Sequence, residues 1–432
     1  MTRVREFRKH REPRRLDGVR DRDLYSQILG LVKPWTVVDV DLNASNQEVI
    51  VRVESDASHK HSCPECGAAC PRHDARERRW RHLDTCQFKT ILVAKVPRIS
   101  CPAHGVKQVA VPWAEPGSRF TALFEGLVID WLKEASVSAV TRLLRVSWDE
   151  ASGIMERAVA RGVARRPKTV VERIGVDETS FQKRHEYVTV VADLASSNVL
   201  HVADGRDSAA LNSFYETLSE DAVEAIQCIS MDMSKPYISA TKHRVPNAEE
   251  KICFDRFHVA KLLGDAVDQV RRAENRELRA TGDDSLKGSR YALLRGERNQ
   301  SSADKVVVGI LQSMGLKSAR AWRFKEMATG LWNYVRHGWA KRAWENWIYR
   351  AVRTNLSPIK KAAKTIREHL WGILNAVTKS VSNARLESIN ARIQKVKRMA
   401  CGFRNRDRFR MAIMFHLGGL DLHPASLTHT KA

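Results

Sequence analysis

The chain has 432 residues, with Lys+Arg 73 against Asp+Glu 50 and a net charge of +23, a length that fits about two to four domains. A surplus of this size points to a polyanionic partner, nucleic acid first, with a basic ribosome-associated factor as the plain alternative. No run approaches the ~18 apolar residues of a membrane span, and the opening MTRVREFRKHREPRR lacks the apolar stretch of a secretory leader.

In chain order, residues 1–20 carry eight Lys/Arg against three acids and read as a basic arm, either on DNA phosphates or simply solvated. Residues 23–33 have a helical pattern. Trp35–Leu42 and Glu48–Glu54 alternate apolar and polar around Asn43-Ala-Ser-Asn46, which predicts a β-hairpin. Next come two matched knuckles, Cys63-Pro-Glu-Cys66-Gly67 and Cys101-Pro-Ala-His104-Gly105. Each sets two soft ligands two residues apart, with a glycine to permit the turn. Together Cys63, Cys66, Cys101 and His104 supply the four ligands of a closed, structural Zn²⁺ site. Cys70, His73, His82 and Cys86 are weaker candidates. Between the knuckles, Phe88–Val96 reads as a strand. Eight cysteines, several in this spacing, suit a reducing compartment and a metal rather than disulfides.

From Thr121 the period turns helical: 121–134, then Val137–Leu144, then a helix opened by Ser147-Trp-Asp-Glu150, a capping box. Two short helices about Arg145-Val146 read as a helix-turn-helix or as part of a plain helical bundle. Arg145 and Trp148 are its candidate DNA contacts. Arg161–Lys168 reads as a basic linker.

A second domain begins at Arg173 in RIGVDETS. Strands are predicted over 173–181, Tyr187–Asp193 and Val199–Ala203, a helix over about 208–219, then strands at Ala225–Met231 and Lys251–Phe254 separated by a helix. Three meandering strands followed by alternating helix and strand is the order of an RNase H-like (retroviral-integrase-like) domain. In it the first and fourth strands lie side by side, so Asp177 and Asp232 should meet. Two such carboxylates repel unless they jointly hold divalent cations, as phosphodiester chemistry requires. Glu178, the next residue, should face the other side of its strand and be a poor ligand for the same ion. Residues 256–380 read as helical, with Trp322, Trp332, Trp339, Trp344, Trp347 and Trp371; the spacings 332–339 and 344–347 put each pair on one helix face, by default a core face. In SNARLESIN, Asn383, Glu387 and Asn390 share a face, a metal-ligating acid between two amides or a plain polar surface. From Arg392 to Arg410 there are eight basic residues and one acid; Arg392, Lys395, Lys397, Arg398, Arg404 and Arg406 are candidate phosphate contacts.

CPECG, RRWRHLD (78–84), IGVDETS, VADL (191–194), MDMSKPY (231–237), CFDRFHV (253–259), SNARLESIN and RIQKVKRMACGFRN together resemble the bacterial insertion-sequence DDE transposases of the ISL-three family, over about residues 25–420. The resemblance implies an α+β or α/β multidomain chain: a basic arm (1–20), a hairpin and zinc-binding domain (21–115), and a helix-turn-helix with linker (118–168). An RNase H-like core (170–260 and 379–432) would follow, interrupted by an all-helical insertion (261–378). It implies that Asp177, Asp232 and Glu387 form a DDE triad holding Mg²⁺ (or Mn²⁺), and that the substrate is double-stranded DNA, both element ends and target. At least a homodimer on DNA and a cytoplasmic, nucleoid-associated location follow from it. Asp255 and His258 match a D-x-x-H signature of related transposases, His258 being either near DNA and the catalytic site or a packed structural residue. His104 stands where the family pattern leads us to expect cysteine; zinc accepts either. An inert DNA-binding regulator and a nuclease without strand transfer remain the alternatives.

Overall fold

The computed structural model describes residues 21–167, 170–182, 186–379, 381 and 384–425; the expected arm (1–20) and Asn383 lie outside them. The chain divides into two units, Met1–Ala164 together with Asp421–Ala432, and Arg165–Leu420. Among the described residues no helix is long and apolar enough to cross a membrane.

In the first unit a short helix α1 (Asp21–Ile28) precedes strands β1 (Trp35–Asn43), β2 (Glu48–Ser55), β3 (Arg72–Thr85), β4 (Phe88–Cys101) and β5 (Gly105–Gln108). The sheet order is β1-β2-β4-β3, with β5 also on β4. β1 and β2 form the expected antiparallel hairpin; their alternation buries Val49, Val51 and Val53 against the apolar face of β4, where Leu92, Ala94 and Val96 lie. Sequence reading missed β3, whose RHDARERRWRHLDT looks too charged for a strand. It is an edge strand that buries only Trp80 and His82, so the remaining positions are free to be charged. Trp35, Trp80 and Trp113 then meet edge to face in the core.

Helices α2 (Ala122–Glu134), α3 (Val137–Leu144) and α4 (Trp148–Arg165) follow. Thr121 and Ser136 cap the first two. Ser147 and Glu150 complete the reciprocal capping box, at 3.2 and 2.8 Å. Arg145 takes the left-handed conformation (φ 55°) that ends α3.

The second unit opens with β6 (Arg173–Gln182), β7 (Glu186–Asp193) and β8 (Val199–Asp204), then α5 (Ser208–Tyr215), α6 (Glu220–Glu224), β9 (Cys228–Met231), α7 (Lys235–Arg244), α8 (Ala248–Lys251) and β10 (Ile252–Phe254). The sheet order is β10-β9-β6-β7-β8. The three-strand meander is antiparallel, while β9 runs parallel to β6 and β10 parallel to β9. β9 begins at Cys228 rather than Ala225, since residues 220–224 form α6.

Seven helices come next: α9 (Arg256–Ala280), α10 (Arg290–Leu294), α11 (Ser302–Ser313), α12 (Lys317–Gly330), α13 (His337–Arg353), α14 (Ser357–Glu368) and α15 (Leu370–Thr378). Their core includes Trp344 and Trp347, both essentially fully buried. Trp332 and Trp339 do not share a helix face: Trp332 lies in a 3-10 turn before α13, and Trp339 is 61% exposed. The chain returns as α16 (Ala384–Met399) and α17 (Arg406–Leu417). These cover the other face of the sheet through Leu386, Ile389, Ile393, Phe409 and Ile413.

Gly175 lets α16 come close. A Cβ there would stand 2.7 Å from the Leu386 methyls and 2.8 Å from Leu194. Gly175→Val is therefore expected to destabilise the chain by about 1–3 kcal/mol through overpacking, seen as a lowered Tm in thermal unfolding. Adding Leu386→Ala should recover part of that loss; an unchanged Tm for Gly175→Val would contradict the close approach.

Candidate functional site: a cysteine-histidine cluster and a carboxylate centre

The two knuckles meet in the first unit. Gly67 and Gly105 have φ of 73° and 66°, the left-handed turn that only glycine adopts at little cost. The four ligand atoms of Cys63, Cys66, Cys101 and His104 lie within 4.8 Å of one another. Cys66 Sγ and Cys101 Sγ are 3.7 Å apart, and His104 Nδ1 is 3.5 Å from Cys101 Sγ and 3.8 Å from Cys63 Sγ. A tetrahedron with metal–sulfur bonds of about 2.3 Å has edges of about 3.8 Å, so this donor set fits a zinc-sized ion. Knuckle amides help: burial pushes the Cys101 thiol up, but N–H groups of His104 and Ala103 outweigh it and bring it to about 7. Amides of Cys66 and Glu65 likewise hold Cys63 low. His104 Nε2 faces Glu65 at 3.5 Å, and Glu65 in turn meets Lys107 at 2.7 Å, which orients the ring with Nδ1 toward the sulfurs.

Of the weaker candidates, Cys70 is buried against this set, its thiol beside Cys101 and pointing to Ala68 O, and the other three stand apart. His73 faces Asp74, and Cys86 is exposed. His82 is buried on Thr121 Oγ1 at 2.9 Å, and burial lowers its pKa to about 4; it pins β3 to the start of α2.

On the helix-turn-helix, Trp148 is 45% exposed at the first residue of α4. Arg145 is exposed and bonded to Asp84 and to Gln87 O. Arg157 and Arg161 turn to Glu125 and Glu115, so the outward residues of α4 include Trp148, Asp149 and Glu156 rather than its arginines.

The second cluster sits where β9 ends, beside the middle of β6. Their parallel register, Ile174 with Ile229 and Gly175 with Ser230, carries Asp177 and Asp232 forward as neighbours. Asp177 Oδ1 accepts the Glu178 N–H at 2.7 Å, and Oδ2 accepts Asn390 Nδ2 at 2.7 Å. Asp232 Oδ1 accepts the Ser234 N–H at 3.1 Å. Burial raises the pKa of both carboxyls; a charged His258 opposes this in each, and Asp232 adds to the rise at Asp177. His258 itself is raised, first by its bond to Asp255 and then by the Asp255, Asp232 and Asp177 charges, against burial. The D-x-x-H spacing has a local cause. Asp255 is the N-cap of α9; its Oδ1 takes the Phe257 N–H at 2.8 Å and its Oδ2 faces His258 Nδ1 at 2.9 Å, a one-turn bracket that aims the ring toward the acids.

Glu387 is exposed in the first turn of α16, one turn before Asn390. That helix tracks β6 through Asn390 on Asp177, Gln394 on Thr179 and Lys397 on Ser180 O. Glu387 is thus on the element that touches Asp177, without belonging to a gathered set of ligand atoms among the described residues.

Glu178 corrects the alternation argument. It does leave the opposite face of β6 from Asp177, yet it lines one cavity of about 560 Å³ with Asp232 and His258. β9 stops pairing with β6 at Gly175, which leaves that edge of the strand open beside Glu178, and burial together with the Asp232 charge raises its pKa. Of the basic run, Arg392, Lys395, Arg398 and Arg404 are exposed; Lys397 is held by Ser180 O, and Arg406 faces Glu186 at 3.2 Å.

Comparison with known proteins agrees with this division. Residues 174–413 match a family profile described as transposase, 109–159 the helix-turn-helix domain of transposase family ISL3, and 59–104 the zinc-finger of transposase IS204/IS1001/IS1096/IS1165. The chain is 29% identical over 427 residues to the transposase for insertion sequence element IS1557 of Mycobacterium tuberculosis, covering 92% of this chain and 95% of that one. It is 28% identical over 357 residues to the transposase for insertion sequence element IS1001 of Bordetella parapertussis, covering 81% and 87%.

A chelator strong enough to strip the cysteine-histidine cluster should loosen the first unit and leave the second folded, measured by proteolysis and by hydrogen exchange along the chain. Equal protection of both units after the metal is removed would contradict a structural role.

Proposed function

Because the chain belongs to the ISL3 family of transposases, we propose that its DNA-cutting centre is built on Asp177, Asp232 and Glu387, in an RNase H-like core interrupted by the helical insertion. The protein is an enzyme, a DNA transposase. The observation that carries the residue assignment is the parallel pairing of β6 with β9, with two half-buried carboxyls at its end and Asn390, one turn from Glu387, bonded to the first of them.

Hard carboxylate oxygens in a pocket with an excess of acids suit Mg²⁺ or Mn²⁺. When bound, paired divalent ions activate the attacking oxygen and stabilise the leaving one. The chain's own residues do the rest. Asn390 and the Glu178 N–H fix the Asp177 rotamer by holding one oxygen each. His258 keeps a proton shared with Asp255, and its charge favours the ionised forms of Asp177 and Asp232. Asp255 and His258 are positioning residues in this scheme.

The same centre cuts at the element ends and then joins the freed 3′ hydroxyl to target DNA. Zn²⁺ on Cys63, Cys66, Cys101 and His104 stabilises the N-terminal module (21–115). The helix-turn-helix (118–168) grips double-stranded DNA with Trp148 at its leading helix. Arg392, Lys395, Arg398 and Arg404, exposed, would hold phosphates beside the centre. Two ends must be joined, so the working form would be at least a homodimer on DNA.

Asp177→Asn, Asp232→Asn and Glu387→Gln should each lower Mg²⁺-dependent cleavage of end-bearing DNA by ~10³-fold or more, with DNA binding retained. Normal cleavage by any one variant would remove that residue from the centre. Cut but never joined products from the wild type would mark a nuclease without strand transfer.

A further inference from the structure

We propose that helix α14 of the helical insertion, through Lys361 and Lys364, forms a phosphate-binding track that leads a DNA strand into the carboxylate cavity. The inference rests on the reading of Asp232, which lines that cavity, as part of the cleavage centre, and it concerns how a polyanion reaches a group of acids.

The cavity holding Glu178, Asp232 and His258 is not walled by acids alone. Arg206, Lys261 and Thr365 line it too. The Arg206 guanidinium lies over the Tyr187 ring, 4.9 Å from its centroid, which keeps it extended along the wall. Lys261 is exposed on α9, with Asp265 the acid one turn further along the same rim. Thr365 comes from α14, so the insertion itself supplies part of the wall.

The outer surface of α14 continues from there. The helix buries Ile359, Ala362, Ala363 and Ile366 and turns basic residues outward: Lys361, Lys364 and Arg367 are exposed and Lys360 partly so, against Glu368. Thr365 Oγ1 bonds back to Lys361 O at 3.3 Å, so Lys361 sits one turn from the cavity wall, about 6 Å along the axis. Neither Lys361 nor Lys364 has an ion-pair partner among the described residues. A solvated basic face needs no function when it stands alone. This one runs into the wall of a cavity whose half-buried acids would repel incoming phosphates, and cations along the approach offset that repulsion. The occupant of matching charge is the backbone of the DNA that this transposase cuts.

The test uses the zinc-loaded full chain and a fluorescein-labelled duplex carrying the end of its own element, with Mg²⁺ and Mn²⁺ left out to prevent cleavage. Anisotropy would be recorded across a salt series. Lys361→Ala/Lys364→Ala should reduce the slope of log Kd against log salt by about 1.8, two phosphate contacts at ~0.9 each. Lys361→Arg/Lys364→Arg should restore the slope. Arg298→Ala/Lys305→Ala, with the same charge change elsewhere on the insertion, should leave it as in the wild type. A wild-type slope for the alanine pair, or an equal fall in the control pair, would overturn the track. Normal cleavage by Asp232→Asn after Mg²⁺ is added back would instead sink the reading of the centre, so the two failures are distinguishable.

Discussion

Two half-buried carboxyls at the end of a parallel strand pairing are the constraint that the second unit answers. Burial resists the ionisation of both, the Asp232 charge adds to this at Asp177 and the Asp255 charge at Asp232, and the neighbouring elements supply what opposes them. The Glu178 N–H and the Asn390 amide bond Asp177, the Ser234 N–H bonds Asp232, and His258, held by Asp255, turns a positive charge toward both. These contributions come from β6, β9, α9 and α16, so the sheet, the insertion's first helix and the returning helix must all be in place together. Gly175 allows the last of these, since α16 could not lie against β6 over a larger residue.

The cysteine-histidine cluster solves the opposite problem. Its ligands come as two preformed turns, each fixed by a glycine in the left-handed region and by amides aimed at sulfur. The geometry is local, and two knuckles on one sheet suffice. The proposed DDE centre is drawn from positions as distant as Asp177 and Asn390, 213 residues apart, and is only as precise as the packing between them. Such a centre can be adjusted by movement of α16, on which Glu387 remains exposed.

Local features were legible in the sequence because their causes are local. Alternation gave the β1–β2 hairpin and the β6–β8 meander, spacing gave the knuckles, and Ser147 with Glu150 announced the start of α4. The features missed depend on partners far along the chain. β3 is charged because it is an edge, and edges are decided by the rest of the sheet. Strand alternation separates Glu178 from Asp177 but does not foresee that it shares a cavity with Asp232 and His258, because that depends on where β9 stops and α9 begins. Arg145, a candidate DNA contact by sequence, is also bonded to Asp84 and Gln87 O, partners that lie about sixty residues away along the chain. Trp339 reads as core only if one helix carries it in phase with Trp332, and Trp332 instead lies in a 3-10 turn before α13.

The central claim is that Asp177 and Asp232 jointly await a divalent cation. Calorimetric titration of Mn²⁺ into zinc-loaded protein, in buffers of different ionisation enthalpy, tests it most directly. Both carboxyls are held above their ordinary range, so the metal-free centre carries protons further up the pH scale than free aspartates do. Mn²⁺ binding should therefore release protons and weaken as pH falls, and Asp177→Asn or Asp232→Asn should abolish it. Tight Mn²⁺ binding by either variant, with no proton release in the wild type, would contradict the account.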